Sequence, residues 1–332
     1  MKHFLTVTDF TPDQIQEILN LSTELNKNPK PILAGKNILF VFEKPSLRTM
    51  MGTESAINKL GGNVIHAKHE SVLKNIHIDD EEEQQVRESF IDTFLVAERY
   101  VDAIFGRVFR HDTLKKIADI VSIPVINALC NQYHPMQALG DMFTIQQKFG
   151  PHKKIKLAFV GDANNVCFSL FEALLLFGHT VSWSGPTEYS FPKKAQQHFH
   201  SLAQKYGGKI LFENDPKDAV KNADIVYTDA FISMGEEDIA HEKIKSFHNF
   251  QVTEELLKQA SPQVHFMHCL PAHRGIEVTD EVIDGPSSWI YDQAGNRTIT
   301  SLGLFAYILK NKNGICRRQA CLSPTIFPQN IL

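Results

Sequence analysis

Five short stretches hold most of the residues in this chain that are able to do chemistry. In Phe42-Glu43-Lys44-Pro45-Ser46-Leu47-Arg48-Thr49, two hydroxyls and a guanidinium fall where an apolar run ends and a helical pattern begins. Free backbone N–H groups at a helix start, with hydroxyls and an arginine beside them, suit a phosphate. Taken alone, an ordinary Ser cap with an exposed Arg explains the stretch equally well. His134-Pro135-Met136-Gln137 puts an imidazole and a carboxamide three residues apart at a second helix start. Such a pair can bind and polarise a carbonyl oxygen, although a lone His beside Pro is more often structural.

Three later stretches each follow a strand-like run. Gly161-Asp162-Ala163-Asn164-Asn165-Val166 sits where a dinucleotide-binding turn would sit, but Val166 occupies its third-glycine position. A nicotinamide enzyme is thereby disfavoured, and amides at a strand end suit a small polar ligand instead. Thr228-Asp229-Ala230-Phe231-Ile232-Ser233-Met234-Gly235 offers Asp229 as the partner of an ammonium group. His268-Cys269-Leu270-Pro271-Ala272-His273-Arg274-Gly275 sets a lone thiol in a His-rich turn. A hydrolase Cys–His pair there lacks an oxyanion motif, and a buried, inert Cys is the commoner reading.

The elements that must position these stretches are legible in the apolar pattern. Thr11, Pro12 and Gln14 form a capping box ahead of Ile15, Ile18, Leu19 and Leu25 at near-helical spacing. Strand-like runs at 37–42, 101–105, 124–129, 155–160, 180–183, 224–227, 264–267 and 289–291 alternate with helical patterns, including 114–121, 135–149, 168–177 and 253–259. That alternation predicts an α/β fold of two doubly wound parallel-sheet domains, with the active site in the cleft between them. Gly150-Pro151-His152-Lys153-Lys154 marks the boundary. The expected division is therefore 1–150, then 151–298, with a helix over about 299–310 packing back on the first domain and a tail over 311–332. The acidic run Asp79-Asp80-Glu81-Glu82-Glu83 reads as a solvated loop.

Bulk composition excludes several classes. The 332 residues carry 34 Lys+Arg against 38 Asp+Glu, a formal charge of −4 with no basic stripe, so nucleic acid is not an expected partner. No stretch reaches the roughly 18 apolar residues of a membrane span, and the first residues lack a signal-peptide pattern. Five scattered cysteines fit neither a disulfide framework nor a CxxC metal pattern, so a reduced cytoplasm is expected.

The five stretches, in this order, resemble the aspartate/ornithine transcarbamylase family, and its ornithine branch in particular. Ser46–Thr49 is similar to the family's phosphate motif, His134–Gln137 to its His-Pro-x-Gln, and the Ser233-Met234-Gly235 and His268-Cys269-Leu270-Pro271 segments to ornithine-type signatures. The match runs over roughly residues 1–310. The resemblance implies that Ser46, Leu47 (by its backbone), Arg48 and Thr49 hold the phosphate of carbamoyl phosphate. It implies that Arg107, His134 and Gln137 hold and polarise the carbamoyl group, with Cys269, Leu270 and Arg297 lining the site near the attacking amine. Asn165, Asp229, Ser233 and Met234 would hold the amino-acid end of L-ornithine. Citrulline and phosphate are the implied products, a homotrimer the implied assembly, and no metal or organic cofactor is called for.

The chain departs from the family at Met50, where an Arg usually follows the motif, in a longer stretch between Ile65 and Arg87, and around Thr298–Thr300. Gln84 or Gln85 is a candidate for the family's cross-subunit contact. Two other readings stay open at this point: a carbamoyltransferase for another amine such as putrescine, and a non-catalytic ligand-binding paralogue.

Overall fold

The computed structural model describes residues 3–67, 89–232 and 237–310. The acidic run, Gln84 and Gln85, Ser233 and Met234, and the tail 311–332 lie outside these described residues. Helix α1 (Pro12–Lys27) opens on the expected capping box. Thr11 Oγ1 accepts the Gln14 N–H at 3.3 Å, and Gln14 Oε1 accepts the Thr11 N–H at 3.1 Å. Its spaced Ile15, Ile18, Leu19 and Leu25 are all buried.

Two all-parallel sheets follow. The first holds β1 (Asn37–Phe42), β2 (Asn63–Ala67), β3 (Ala103–Arg107) and β4 (Val125–Leu129) in the order β2-β1-β3-β4. Helices α2 (Leu47–Lys59), α3 (Phe90–Tyr100) and α4 (His111–Ile120) belong to this half, and α5 (Pro135–Phe149) leaves it. The second holds β5 (Lys156–Val160), β6 (Thr180–Ser184), β7 (Lys209–Glu213), β8 (Ile225–Thr228) and β9 (His265–His268) in the order β7-β6-β5-β8-β9. Its long helices are α6 (Asn165–Leu176) and α7 (Lys193–Tyr206). The chain closes on α8 (Ile290–Lys310). No described helix is long and apolar enough to cross a membrane.

The runs form strands because helices cover both faces of each sheet, so β3 and β4 are apolar and buried without alternation. Helices α5 and α6 are buried over most of their surface and pack on each other between the sheets. One core therefore joins Phe40, Phe105 and Ile126 of the first sheet to Phe159, Trp183 and Tyr227 of the second.

The strand expected at 289–291 is not formed. Ser288 makes an isolated bridge to Phe266, and α8 begins at Ile290, well before the expected 299. Asp292, Gln293, Asn296 and Arg297 interrupt the apolar pattern there, but hydrogen bonds inside the fold satisfy several of them; Asn296 Nδ2 reaches Thr144 Oγ1 at 2.9 Å and Gln147 Oε1 at 3.1 Å. The long α8 packs on α1, α2 and α5. The helix expected over 253–259 shortens to the single turn Glu254–Leu257.

Strand order reverses between β1 and β3 in one sheet and between β5 and β8 in the other. Ligands of open α/β sheets bind outside the carboxyl ends of strands at such points. Three of the five stretches lie there, with Arg107: Ser46–Thr49 follows β1, Arg107 ends β3, Asn164 and Asn165 follow β5, and Asp229 follows β8, while His134 and His268 stand at the carboxyl ends of the edge strands β4 and β9.

Candidate functional site

At the first reversal, Ser46 caps α2 in extended conformation, and its hydroxyl donates to Thr49 Oγ1 at 3.0 Å. Arg297, arriving on α8, donates to the same Thr49 oxygen at 3.0 Å. With its oxygen accepting twice, the Thr49 hydroxyl keeps its own proton to give to a ligand. Arg48 and Leu47 are exposed on the first turn of α2. Arg107 is largely buried and its Nε has no partner; burial, then Arg297 and Arg48, lower its pKa to about 10. Among the described residues, none of these three guanidiniums forms a salt bridge with a carboxylate. Three cations that repel one another around a helix start bearing the Ser46 and Thr49 hydroxyls make a site an anion would relieve.

His134 caps α5, its backbone N–H donating to Ser169 Oγ of α6 at 2.8 Å. Its ring is buried and Nδ1 lacks a partner. Burial, then Arg297 and Arg107, hold its pKa well below the usual range. The imidazole is therefore neutral at physiological pH, one N–H donor able to polarise a carbonyl without carrying charge. Gln137, one turn on, gives Nε2 to Asp141 Oδ1 at 2.8 Å, while its Oε1 is buried without a partner.

Asp141, Tyr227 and Gln293 form a buried network that sequence reading missed. Asp141 Oδ1 also accepts Gln293 Nε2 at 2.7 Å, and Asp141 Oδ2 accepts the Tyr227 hydroxyl at 3.1 Å. Burial pushes the Asp141 carboxyl up to about 7, against the pull of its three donors and Arg297. The available signal was an Asp set four residues after Gln137, on the same helix face, in the otherwise apolar run 138–143.

The second reversal is knit around Asp229. Asn164 caps α6 by accepting the Val166 and Cys167 N–H groups at 3.0 Å each, and its Nδ2 donates to Asp229 Oδ2 at 2.8 Å. Asp229 Oδ1 accepts the Ala230 N–H at 2.8 Å and the Cys269 thiol at 3.0 Å. Asn165, expected to meet the ligand, donates to the Cys130 carbonyl at 2.6 Å, which ties the end of β4 to the start of α6. The buried Lys243 of the short helix Ala240–Ser246, also missed, pairs with Asp162 at 2.8 Å.

Cys269 is no thiolate nucleophile. Burial, then the Asp229 carboxylate, raise its pKa well above the usual range, so it serves as an S–H donor. Its neighbour His268 does not activate it. The Leu270 N–H donates to His268 Nδ1 at 2.8 Å, which leaves the proton on Nε2, and Nε2 meets the buried Glu277 Oε1 at 3.1 Å. Asp229, His268 and Cys269 place ligand-type atoms within 4.8 Å of one another, but hydrogen bonds already engage both His268 nitrogens. Leu270 stands at φ 57° and precedes a cis peptide bond to Pro271.

The structure thus brings Thr49, Arg107, His134, Gln137 and Arg297 around one region, with Asp229 and Cys269 joined beside it. Arg297 is electrostatically coupled both to Arg48 and to Cys269. Two family models match the chain: "Aspartate/ornithine carbamoyltransferase, carbamoyl-P binding domain" over residues 2–147, and "Aspartate/ornithine carbamoyltransferase, Asp/Orn binding domain" over 153–308. An ornithine carbamoyltransferase of Pyrococcus horikoshii is 39% identical over 315 residues, covering 93% of this chain and 96% of that protein. Among solved structures, ornithine carbamoyltransferase from Pyrococcus furiosus superposes with a TM-score of 0.86 at 38% identity, over 95% of this chain and 98% of that one. The anabolic ornithine carbamoyltransferase of Campylobacter jejuni gives 0.84 at 35% identity, over 93% and 99%.

Proposed function

Since the chain belongs to the aspartate/ornithine carbamoyltransferase family, we propose that it moves the carbamoyl group of carbamoyl phosphate to the side-chain amine of L-ornithine, giving L-citrulline and phosphate. The observation that carries this reading is the cluster of Arg48, Arg107 and Arg297 with no carboxylate salt bridge among the described residues, acting on neutral His134 and on Cys269 of the Asp229–Cys269 pair. In this assignment residues 1–150 carry the phosphate subsite and 151–298 the ornithine subsite.

Ser46, Arg48 and Thr49, with the Leu47 backbone, hold the phosphate. Arg107 and His134 donate to the carbamoyl oxygen, and Gln137 addresses the carbamoyl NH2. Asp229 meets the α-ammonium of ornithine, with Ser233, Met234 and the Asn164–Asn165 turn completing that end. Cys269, Leu270 and Arg297 line the path of the attacking amine.

The free amine has a pKa near ~10, so the reacting form is the minority neutral one. Its lone pair attacks the carbamoyl carbon as the carbonyl oxygen gains charge, which the preorganised donors of Arg107 and His134 stabilise. The C–O bond to phosphate then breaks, and the leaving phosphate takes the amine proton. A homotrimer in the cytoplasm fits two features of the chain: exposed Leu47, Met51, Ile91, Leu95 and Tyr100 on α2 and α3, and free cysteines at 130, 167 and 269.

A citrulline assay with carbamoyl phosphate tests the reading, comparing ornithine, putrescine and acetylornithine. Ornithine is expected to be the substrate, and Arg48→Ala to lower kcat/KM by roughly 10²- to 10³-fold. No turnover with any amine, from folded protein, would overturn it.

A further inference from the structure

We infer that Asp141, Tyr227 and Gln293 form a polarity relay, anchored on the backbone N–H of His268, that fixes the Gln137 carboxamide with its oxygen free and so selects a carbamoyl NH2 as ligand. The inference rests on the functional reading above only in naming the ligand.

The direction of every bond follows from the first. A backbone N–H can only donate, so the Gln293 atom 2.9 Å from His268 N must be its oxygen. Gln293 is then obliged to present Nε2 on its other side, to Asp141 Oδ1 at 2.7 Å and to Tyr227 Oη at 3.0 Å. Having accepted there, the Tyr227 hydroxyl gives its own proton to Asp141 Oδ2 at 3.1 Å. Burial raises the Tyr227 pKa well above the usual range, so the phenol keeps that proton. Once Asp141 is ionised, above about pH 7, both its oxygens are acceptors, and only the Nε2 of Gln137 can face Asp141 Oδ1 at 2.8 Å. Gln137 Oε1 is left as a buried acceptor with no donor among the described residues.

Amide orientation is ordinarily ambiguous because O and N are nearly alike in shape. Here a main-chain group on β9 of the second sheet decides it for a side chain on α5. All four side chains in the chain of bonds are at most 1% exposed, so water offers no alternative partner. A buried acceptor rejects a ligand that brings no donor, because the acceptor is then left unpaired. Acetyl phosphate carries a methyl group where carbamoyl phosphate carries NH2, and it is the probe that reads this choice.

The test measures the binding of carbamoyl phosphate and acetyl phosphate to the full chain without ornithine. The wild type is expected to prefer carbamoyl phosphate at least ~10-fold. Asp141→Leu frees the Gln137 amide to turn, and should weaken carbamoyl phosphate about 10- to 100-fold while changing acetyl phosphate less than about threefold. Asp141→Asn keeps a carbonyl for the two amides and turns its N–H to Tyr227, whose own proton then loses its acceptor; the fold should lose stability while the preference is retained. Equal weakening of both ligands in Asp141→Leu, or loss of the preference in Asp141→Asn, would overturn the relay. Should Asp141→Leu not fold, the wild type alone decides: equal affinity for the two phosphates ends the proposal. A wild type that prefers carbamoyl phosphate yet makes no citrulline would remove the function and keep the relay. One that makes citrulline yet binds both phosphates alike would do the reverse.

Discussion

Asp229 shows how much a single carboxylate depends on its neighbours. Three donors, from Asn164, Ala230 and Cys269, hold it in place, and in the proposed assignment the ornithine ammonium gains a charged, oriented partner there. Asp229→Asn should therefore raise the KM for ornithine about 10- to 100-fold and leave that for carbamoyl phosphate within about threefold, in steady-state kinetics. Equal effects on the two substrates would show that the residue supports the fold instead. Asp141 carries a different consequence. Its carboxyl holds a proton up to about 7 in the fold, against ~3.9 when unfolded. The folded state thus binds more protons between these values, and stability from this group falls as pH rises from about 4 to about 7. Asn does not titrate, so the Tm of Asp141→Asn relative to wild type should climb between pH 5 and pH 8. A difference that stays flat or falls would mean that the carboxyl ionises with an ordinary pKa. The groups facing Asp141 are Gln137, Gln293, Tyr227 and Arg297, and among them only Arg297 carries charge.

At the scale of elements, α8 does the most. It carries Arg297 to Thr49 and Gln293 to Asp141 while packing on α1, α2 and α5. Its approach to α1 requires a glycine: a Cβ at Gly303 would lie 2.1 Å from Ser22 Oγ and 2.2 Å from Ile18 O. Backbone cannot give way as a side-chain tip can, so Gly303→Ala should destabilise by about 1–3 kcal/mol. Thermal unfolding should show a Tm several degrees lower; an unchanged Tm would mean that the helices separate freely. The capping box of α1 and the buried strands of both sheets were readable because their causes are local: hydroxyl and amide spacing, and apolar runs between breakers. The start of α8 was not readable, since Gln293 and Asn296 look like surface residues until their buried partners on α5 are known. The turn after β5 was legible as polar residues at a strand end, but the bond from Asn164 to Asp229 was not, because the two lie 65 positions apart in the chain.

For the whole molecule, the proposed homotrimer would cover the exposed apolar side chains on α2 and α3. Light scattering with size-exclusion chromatography should give three times the 37.6 kDa chain mass. A monomeric mass with full activity would remove the trimer. By itself the sequence determined the α/β class with parallel sheets, the placement of the motifs at strand ends, and the family, because each rests on patterns within a few residues or on ordered motifs; the edge strands β2 and β7, less apolar and part exposed, were not read. Only the tertiary structure decided which polar groups meet. Asp141 and Gln293 lie 152 positions apart in the chain, and the hydrogen-bond directions of Gln137, Asp141, Tyr227 and Gln293 descend from one backbone N–H at His268. Chain spacing carries no record of such contacts; they exist because burial removes water and leaves each polar group only the partners that folding brings to it.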